Sequence, residues 1–215
     1  MLKYLDQFDA TQCDGHERRY ALSAEWIEPL LVPGAVVYDY GRGDYPFAAM
    51  IRQSFPAVDL RTTGDADLRY PLPIESDSAD GVCCMEVLEH MKDRSEDDPA
   101  TFTYSGLRNL LAECLRILKP GGWLFLTTPN VSSYGCLWSH LKGESPQWYL
   151  PHVRELGFAE TKRFLTEAGF HVDRFDGVDV WPATECPSDL VELVERLCPM
   201  MPRENCLFTL SHKPQ

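Results

Sequence analysis

Val36-Val37-Tyr38-Asp39-Tyr40-Gly41-Arg42-Gly43-Asp44-Tyr45 decides how the rest of the chain reads. Residues 35–40 (AVVYDY) are short, β-branched and aromatic, the composition of a buried strand. They run directly into Gly41-x-Gly43, and a helical segment follows at about residues 46–54. Glycines at such a junction allow positive φ and let backbone come close to a ligand. The turn lacks the third glycine of a G-x-G-x-x-G dinucleotide fingerprint and the G-K-[ST] of a phosphate loop, so a pyrophosphate ligand is not supported. Asp39 is the informative residue. A carboxylate inside an apolar strand, two residues before Gly41, suits a ligand with cationic or hydroxyl donors. Taken alone, a G-x-G turn is just as well a plain tight turn.

Outward from this turn, strand-like and helix-like segments alternate. On the N-terminal side, residues 16–31 place Tyr20, Leu22, Trp26, Ile27, Leu30 and Leu31 at helical spacing, and Pro33-Gly34 ends the run. On the C-terminal side, residues 58–63 read as a second, less apolar strand. A loop rich in Pro and Asp (RYPLPIESDSAD) precedes another apolar run at 81–87. Residues 104–118 form an amphipathic helix through Leu107, Leu110, Leu111, Cys114, Leu115 and Leu118. Lys119-Pro120-Gly121-Gly122 stops it, and residues 123–128 are again a strand. Residues 130–155 read as a long irregular stretch. It holds Tyr134, Trp138, Trp148, Tyr149, His140 and His152. A helix at 159–168 closed by Gly169, a strand at 171–176, a helix at 188–198 capped by Ser188 and a strand at 206–212 complete the pattern. Such alternation implies βαβ crossovers and a mostly parallel sheet covered on both faces, with ligands bound beyond the carboxyl ends of the strands.

The 215 residues suit one such domain. A chain of this length buries roughly 70 % of its unfolded surface, so it needs neither disulfide nor metal to hold together. The formal charge of −13 makes nucleic acid a poor partner, because proteins that grip phosphate backbones carry a basic face; a bare anionic membrane is disfavoured too. The eight cysteines contain no C-x-x-C pair, and no metal site is expected. Cys83, Cys84, Cys114 and Cys206 sit in apolar segments and read as buried free thiols of a reducing compartment. No run of about 18 apolar residues is present, so no membrane insertion is expected. The first residues lack an apolar signal core, and a cytoplasmic location is the expectation.

After the glycine turn come, in order, Leu72-Pro73-Ile74, then Ala79-Asp80-Gly81-Val82, then Met85-Glu86-Val87-Leu88-Glu89-His90, then Leu118-Lys119-Pro120-Gly121-Gly122 and Thr127-Thr128-Pro129-Asn130. This series resembles the class I S-adenosylmethionine-dependent methyltransferases. In those, a hydrophobic strand ends in D-x-G-x-G and is followed by L-P-F-x-x-x-x-F-D, E-V-L-E-H and L-K-P-G-G segments. The resemblance spans roughly residues 35–178. It implies an α/β fold: a Rossmann-like, seven-stranded, mostly parallel sheet whose last strand is antiparallel, with helices on both faces. The third strand would be short or absent, because the segment between Asp59 and Pro71 is short. The chain divides into an N-terminal helical segment (1–34), a cofactor-binding core (35–178) with a substrate-side loop (130–156), and a C-terminal helix and strand (179–215), all in one domain.

The implied cofactor is S-adenosyl-L-methionine. By the resemblance, Asp39, Gly41 and Gly43 would line its methionine half, with Tyr40 part of the same site. An acidic residue beyond the second strand would hold the ribose diol, two acceptors facing two donors. Asp65 is the first choice and Asp59 the alternative. Asp67 would lie near the adenine, and Cys84, Met85 and Glu86 would pass beside the methionine or ribose. Two departures stand out. Arg42 replaces the usual Cys, Ser or Ala, and Ala79 replaces the usual Phe.

Gly43-Asp44-Tyr45-Pro46-Phe47, Pro129-Asn130-Val131-Ser132-Ser133, Gly143-Glu144-Ser145-Pro146, His152-Val153-Arg154-Glu155 and Gly169-Phe170-His171-Val172 resemble the small methyltransferases of bacterial glycan and sugar biosynthesis. The expected acceptor is a small molecule or a sugar or glycan hydroxyl. His152, in the loop that should cover the methyl end, is the candidate general base; its other reading is a loop histidine anchoring backbone. Two further function classes stand beside this one. The first is a non-catalytic partner subunit with the methyltransferase fold, and the second a nicotinamide-dependent oxidoreductase, against which the missing third glycine speaks.

Overall fold

A computed structural model describes residues 3–7, 16–41, 46–144, 149, 151–182 and 185–215. Arg42, Gly43, Asp44 and Tyr45 of the glycine turn, and also Cys13 and Trp148, lie outside the described residues.

Six strands form one sheet in the order β2-β1-β3-β4-β6-β5: β1 Val36–Asp39, β2 Asp59–Thr62, β3 Ala79–Met85, β4 Leu118–Pro129, β5 His171–Val178 and β6 Cys206–His212. The neighbours β2-β1, β1-β3 and β3-β4 are parallel, and β6 runs antiparallel to both β4 and β5. Two apolar layers sandwich the sheet. On one face α1 (Glu17–Ile27) and α2 (Pro46–Ser54) pack Tyr20, Ile27, Phe47 and Ile51 on Val37, Cys83 and Phe125. On the other, α3 (Ser105–Ile117) and α5 (Phe158–Ala168) pack Leu110, Leu111, Phe164 and Leu165 on Val82, Leu124 and Leu126. Gly81 of β3 lets the Trp123 indole lie flat on the sheet, since a Cβ there would meet the ring at 2.2 Å. Cys83, Cys84, Cys114 and Cys206 are buried free thiols.

The sheet has six strands rather than the expected seven, and the third is absent. Residues 63–78 contain no strand. The reason is local. Pro71 and Pro73 offer no backbone N–H, and each restricts the residue before it. Peptide groups of Leu72 and Ile74 are bound by α3 instead of by a neighbouring strand. Leu72 N donates to Glu113 Oε2 at 2.8 Å, and Arg116 donates to the carbonyls of Ile74 (2.7 Å) and Leu72 (3.2 Å).

Two further expectations are corrected. The stretch read as irregular contains a helix, α4 (Tyr134–Leu141), whose N-cap Ser133 accepts from Cys136 N. The last helix, α6 (Ser188–Leu197), has Pro187 at its N-cap position and no side-chain cap, so Ser188 does not cap it. No helix among the described residues is long and apolar enough to cross a membrane.

Candidate functional site

The carboxyl ends of β1, β3 and β4 open on a cavity of about 830 Å³, within the range of small-molecule sites. Strand β1 and the two residues after it supply Asp39, Tyr40 and Gly41; the segment after β2 supplies Gly64 and Asp65; β3 and the residue after it supply Met85 and Glu86. Beneath it, Asp80 ties the strands together at their other end. It accepts from Val36 N (2.8 Å) and pairs with Lys119 (2.7 Å), which gives this motif residue a structural role.

Asp39 is only 5 % exposed, and among the described residues no group donates to its carboxylate. Burial raises its pKa to about 6, against the opposing pull of Arg19 and Arg52. A buried carboxylate facing a cavity in this state is set to receive donors. Next to it, Gly41 has φ +150° and open space where a Cβ would stand. Gly41 N donates to Thr63 Oγ1 at 3.0 Å, which pins the strand end to the turn after β2.

Asp65 lines the cavity, and Asp59 does not. Asp59 begins β2, at the end of the sheet away from the cavity, and pairs with Arg61 at 2.6 Å. Asp67 pairs with Arg69 at 2.7 Å and is not among the lining residues. Cys84 is fully buried in the α3–α5 layer, on the face of β3 away from Met85. Tyr40 likewise buries its ring in that layer, so its backbone is what the cavity meets. Glu86 adopts φ +55°, and its Oε1 accepts from Thr127 Oγ1 at 2.8 Å.

His152 reaches the cavity because the loop before α5 docks on the 3₁₀ turn Leu88–His90. Val153 N and Arg154 N both donate to Glu89 O, at 2.7 and 3.2 Å. His152 Nδ1 is hydrogen-bonded to Glu155 Oε1 at 2.8 Å, and its ring meets that of His90 edge-on at 4.7 Å. Burial lowers the pKa of His90, and His152 lowers it further.

Arg19, on the same cavity, escaped the reading of the sequence. It is 5 % exposed, and its Nε has no partner among the described residues. A helical arginine reads as solvent-facing by default. The available signal was Ser23 one turn on, also buried, which extends the Tyr20-Ala24-Ile27 stripe.

A mostly parallel sheet with a buried carboxylate and an open glycine at the carboxyl end of β1 defines a Rossmann-like domain for a small polar ligand. A family model described as a methyltransferase domain matches residues 15–174, and the chain belongs to that family. It is 30 % identical over 135 residues to a Mycolicibacterium smegmatis protein named as a probable S-adenosylmethionine-dependent methyltransferase, covering 63 % of this chain and 44 % of that one. It is 32 % identical over 138 residues to a ubiquinone biosynthesis O-methyltransferase of Thiobacillus denitrificans, covering 62 % and 53 %. The chain thus spans about half the length of these curated relatives. A solved S-adenosylmethionine-dependent methyltransferase of Archaeoglobus fulgidus shares the fold, with a TM-score of 0.60, 15 % identity and coverage of 98 % and 100 %. Membership of this family sets aside the oxidoreductase reading.

The family implies S-adenosylmethionine, and the site fits it. Asp39 would offer a buried carboxylate to the ligand's ammonium, Arg19 a guanidinium nitrogen without a partner among the described residues to its carboxylate, and Asp65 a carboxylate to its diol, all on one cavity.

Proposed function

We propose that this chain is an S-adenosylmethionine-dependent O-methyltransferase acting on a hydroxyl of a small molecule or sugar. The observation that carries the reading is the buried Asp39 carboxylate, without a donor among the described residues, sharing one cavity with His152. Asp39 and Arg19 hold the amino-acid end of the cofactor, Gly41 lets it lie against backbone, and Asp65 takes the ribose. The bound cofactor supplies a methyl group already activated on a sulfonium. The protein's task is to align the acceptor and accept a proton. His152 Nε2 would take the proton that the acceptor hydroxyl gives up on methylation. Glu155 on Nδ1 holds the imidazole in the tautomer that leaves Nε2 open.

Two observations support a hydroxyl acceptor. Relatives are named O-methyltransferases of ubiquinone biosynthesis, and the segments around Asn130 and His152 resemble enzymes of glycan biosynthesis. The test is transfer of a labelled methyl group to a panel of phenols, catechols and sugars. His152→Ala is expected to lower kcat by 10²–10⁴-fold, the usual worth of a general base, with S-adenosylhomocysteine affinity unchanged. If the wild type binds S-adenosylhomocysteine yet methylates no hydroxyl compound, the acceptor class is wrong. If it does not bind at millimolar concentration, the non-catalytic subunit is the better reading.

A further inference from the structure

Glu89 is fully buried, and its two carboxylate oxygens differ in their surroundings. Oε2 accepts from Thr128 Oγ1 at 2.9 Å. Oε1 has no hydrogen-bond partner among the described residues. Leaving a buried acceptor unsatisfied costs about 1–3 kcal/mol, and more when it is charged. The groups that face this oxygen are imidazoles. His152 Nε2 lies 4.0 Å from it, and one ligand atom each of Glu89, His90 and His152 falls within 4.8 Å of the other two.

Outer contacts already hold this set in place. Glu155, itself buried, occupies His152 Nδ1 and directs Nε2 towards Glu89. Thr128 fixes the carboxylate from behind. Metal sites are supported in this way, with a carboxylate on the far nitrogen of the ligating histidine and a donor on the ligating carboxylate. Among the described residues the arrangement joins a turn after β3, the end of β4 and the loop before α5. Three separate elements therefore converge on one unbonded oxygen.

We propose that Glu89 Oε1, His90 and His152 Nε2 bind one divalent transition-metal ion of the zinc or cobalt type on the acceptor side of the cavity. Two imidazoles and one carboxylate suit such ions, whereas Mg²⁺ and Ca²⁺ prefer shells made of oxygen. Ligand distances of about 2.0–2.2 Å require the three atoms to draw together by roughly 1 Å. The side facing the cavity stays open for a water or an acceptor hydroxyl. That use of the ion rests on the methyltransferase reading; its binding does not. The proton-accepting role proposed for His152 belongs to the ion-free protein; with the ion bound, its Nε2 is a ligand. The competing arrangement is a protonated Glu89 joined to His152 through water, which needs no ion.

The experiment is titration of the chelator-treated full chain with Co²⁺ alone, read by visible absorption and equilibrium dialysis. S-adenosylhomocysteine binding is measured on the same samples. The expected result is one Co²⁺ per chain, displaced by Zn²⁺ but not by excess Mg²⁺. Stoichiometric binding should be lost in the double variant His90→Ala/His152→Ala while S-adenosylhomocysteine still binds. Glu155→Gln should bind Co²⁺ 10–100-fold more weakly, the cost of losing an outer partner. Should the double variant fail to bind S-adenosylhomocysteine, Glu155→Gln decides alone. Absence of stoichiometric Co²⁺ in a wild type that binds S-adenosylhomocysteine overturns the proposal, as does unchanged affinity in Glu155→Gln. Loss of S-adenosylhomocysteine binding by the wild type counts against the methyltransferase reading and leaves the metal result standing.

Discussion

Asp39 holds a charge where solvent does not reach, and its protonation therefore affects stability and binding in opposite ways. Its folded pKa of about 6 lies above the unfolded value near 3.9. A raised carboxylate favours the folded state below the unfolded pKa, and that contribution is lost as pH rises through about 6. The ligand-free protein should lose roughly 2 kcal/mol between pH 4 and pH 7 from this group alone, because each tenfold difference in proton affinity between the folded and unfolded chain is worth about 1.36 kcal/mol. Urea unfolding of wild type and Asp39→Asn at both pH values isolates the effect. The wild type should fall relative to the variant as pH rises, and parallel behaviour would remove Asp39 from the account. The cofactor's ammonium selects the ionised form, so S-adenosylhomocysteine affinity should rise about tenfold per pH unit below about 6. That Asp39, Gly41 and Asp65 line one cavity was legible because strand, turn and spacing are local features. Arg19 was not, because its burial depends on α1 packing across the end of β1.

At the scale of elements, α3 does the work of a missing strand. Glu113 is 6 % exposed, accepts from Leu72 N and pairs with Arg116, which in turn binds the Leu72 and Ile74 carbonyls. Arg116 holds the Glu113 carboxyl below its usual range, with burial opposing. Glu113→Ala removes the acceptor and leaves two donors unmatched, a loss of about 2–3 kcal/mol. Thermal unfolding should show the midpoint falling by roughly 5–10 °C. An unchanged midpoint would mean that water serves these groups equally well. The short, proline-containing segment after β2 announced that a strand was lacking. It did not announce what replaced it, because Leu72 and Glu113 are 41 residues apart and their pairing is tertiary. Helix α4 is hidden for a different reason: its 8 residues are too short to show a helical apolar period, and only the Ser133 cap marks it.

For the whole molecule, the topology gathers residues from both halves of the chain onto one cavity. The class of sheet could be read from the alternation of segments, and the cofactor from motifs in order. The convergence of Glu89, His90 and His152 could not, because it depends on the distant loop before α5 returning to donate the Val153 and Arg154 amides to Glu89 O. Net charge acts at this scale as well. At −13 the surface repels polyanions, and duplex DNA at physiological salt should leave S-adenosylhomocysteine affinity unchanged. The central claim is that the end of β1 is a site for S-adenosylmethionine. Isothermal titration of the wild type and of Asp39→Ala with S-adenosylhomocysteine and with NAD tests it most directly. The account predicts one S-adenosylhomocysteine site in the wild type, no heat with NAD, and binding weakened at least about 30-fold in the variant, the cost of about 2 kcal/mol for a buried charged partner. Equal binding by wild type and variant, or saturable binding of NAD, would contradict it.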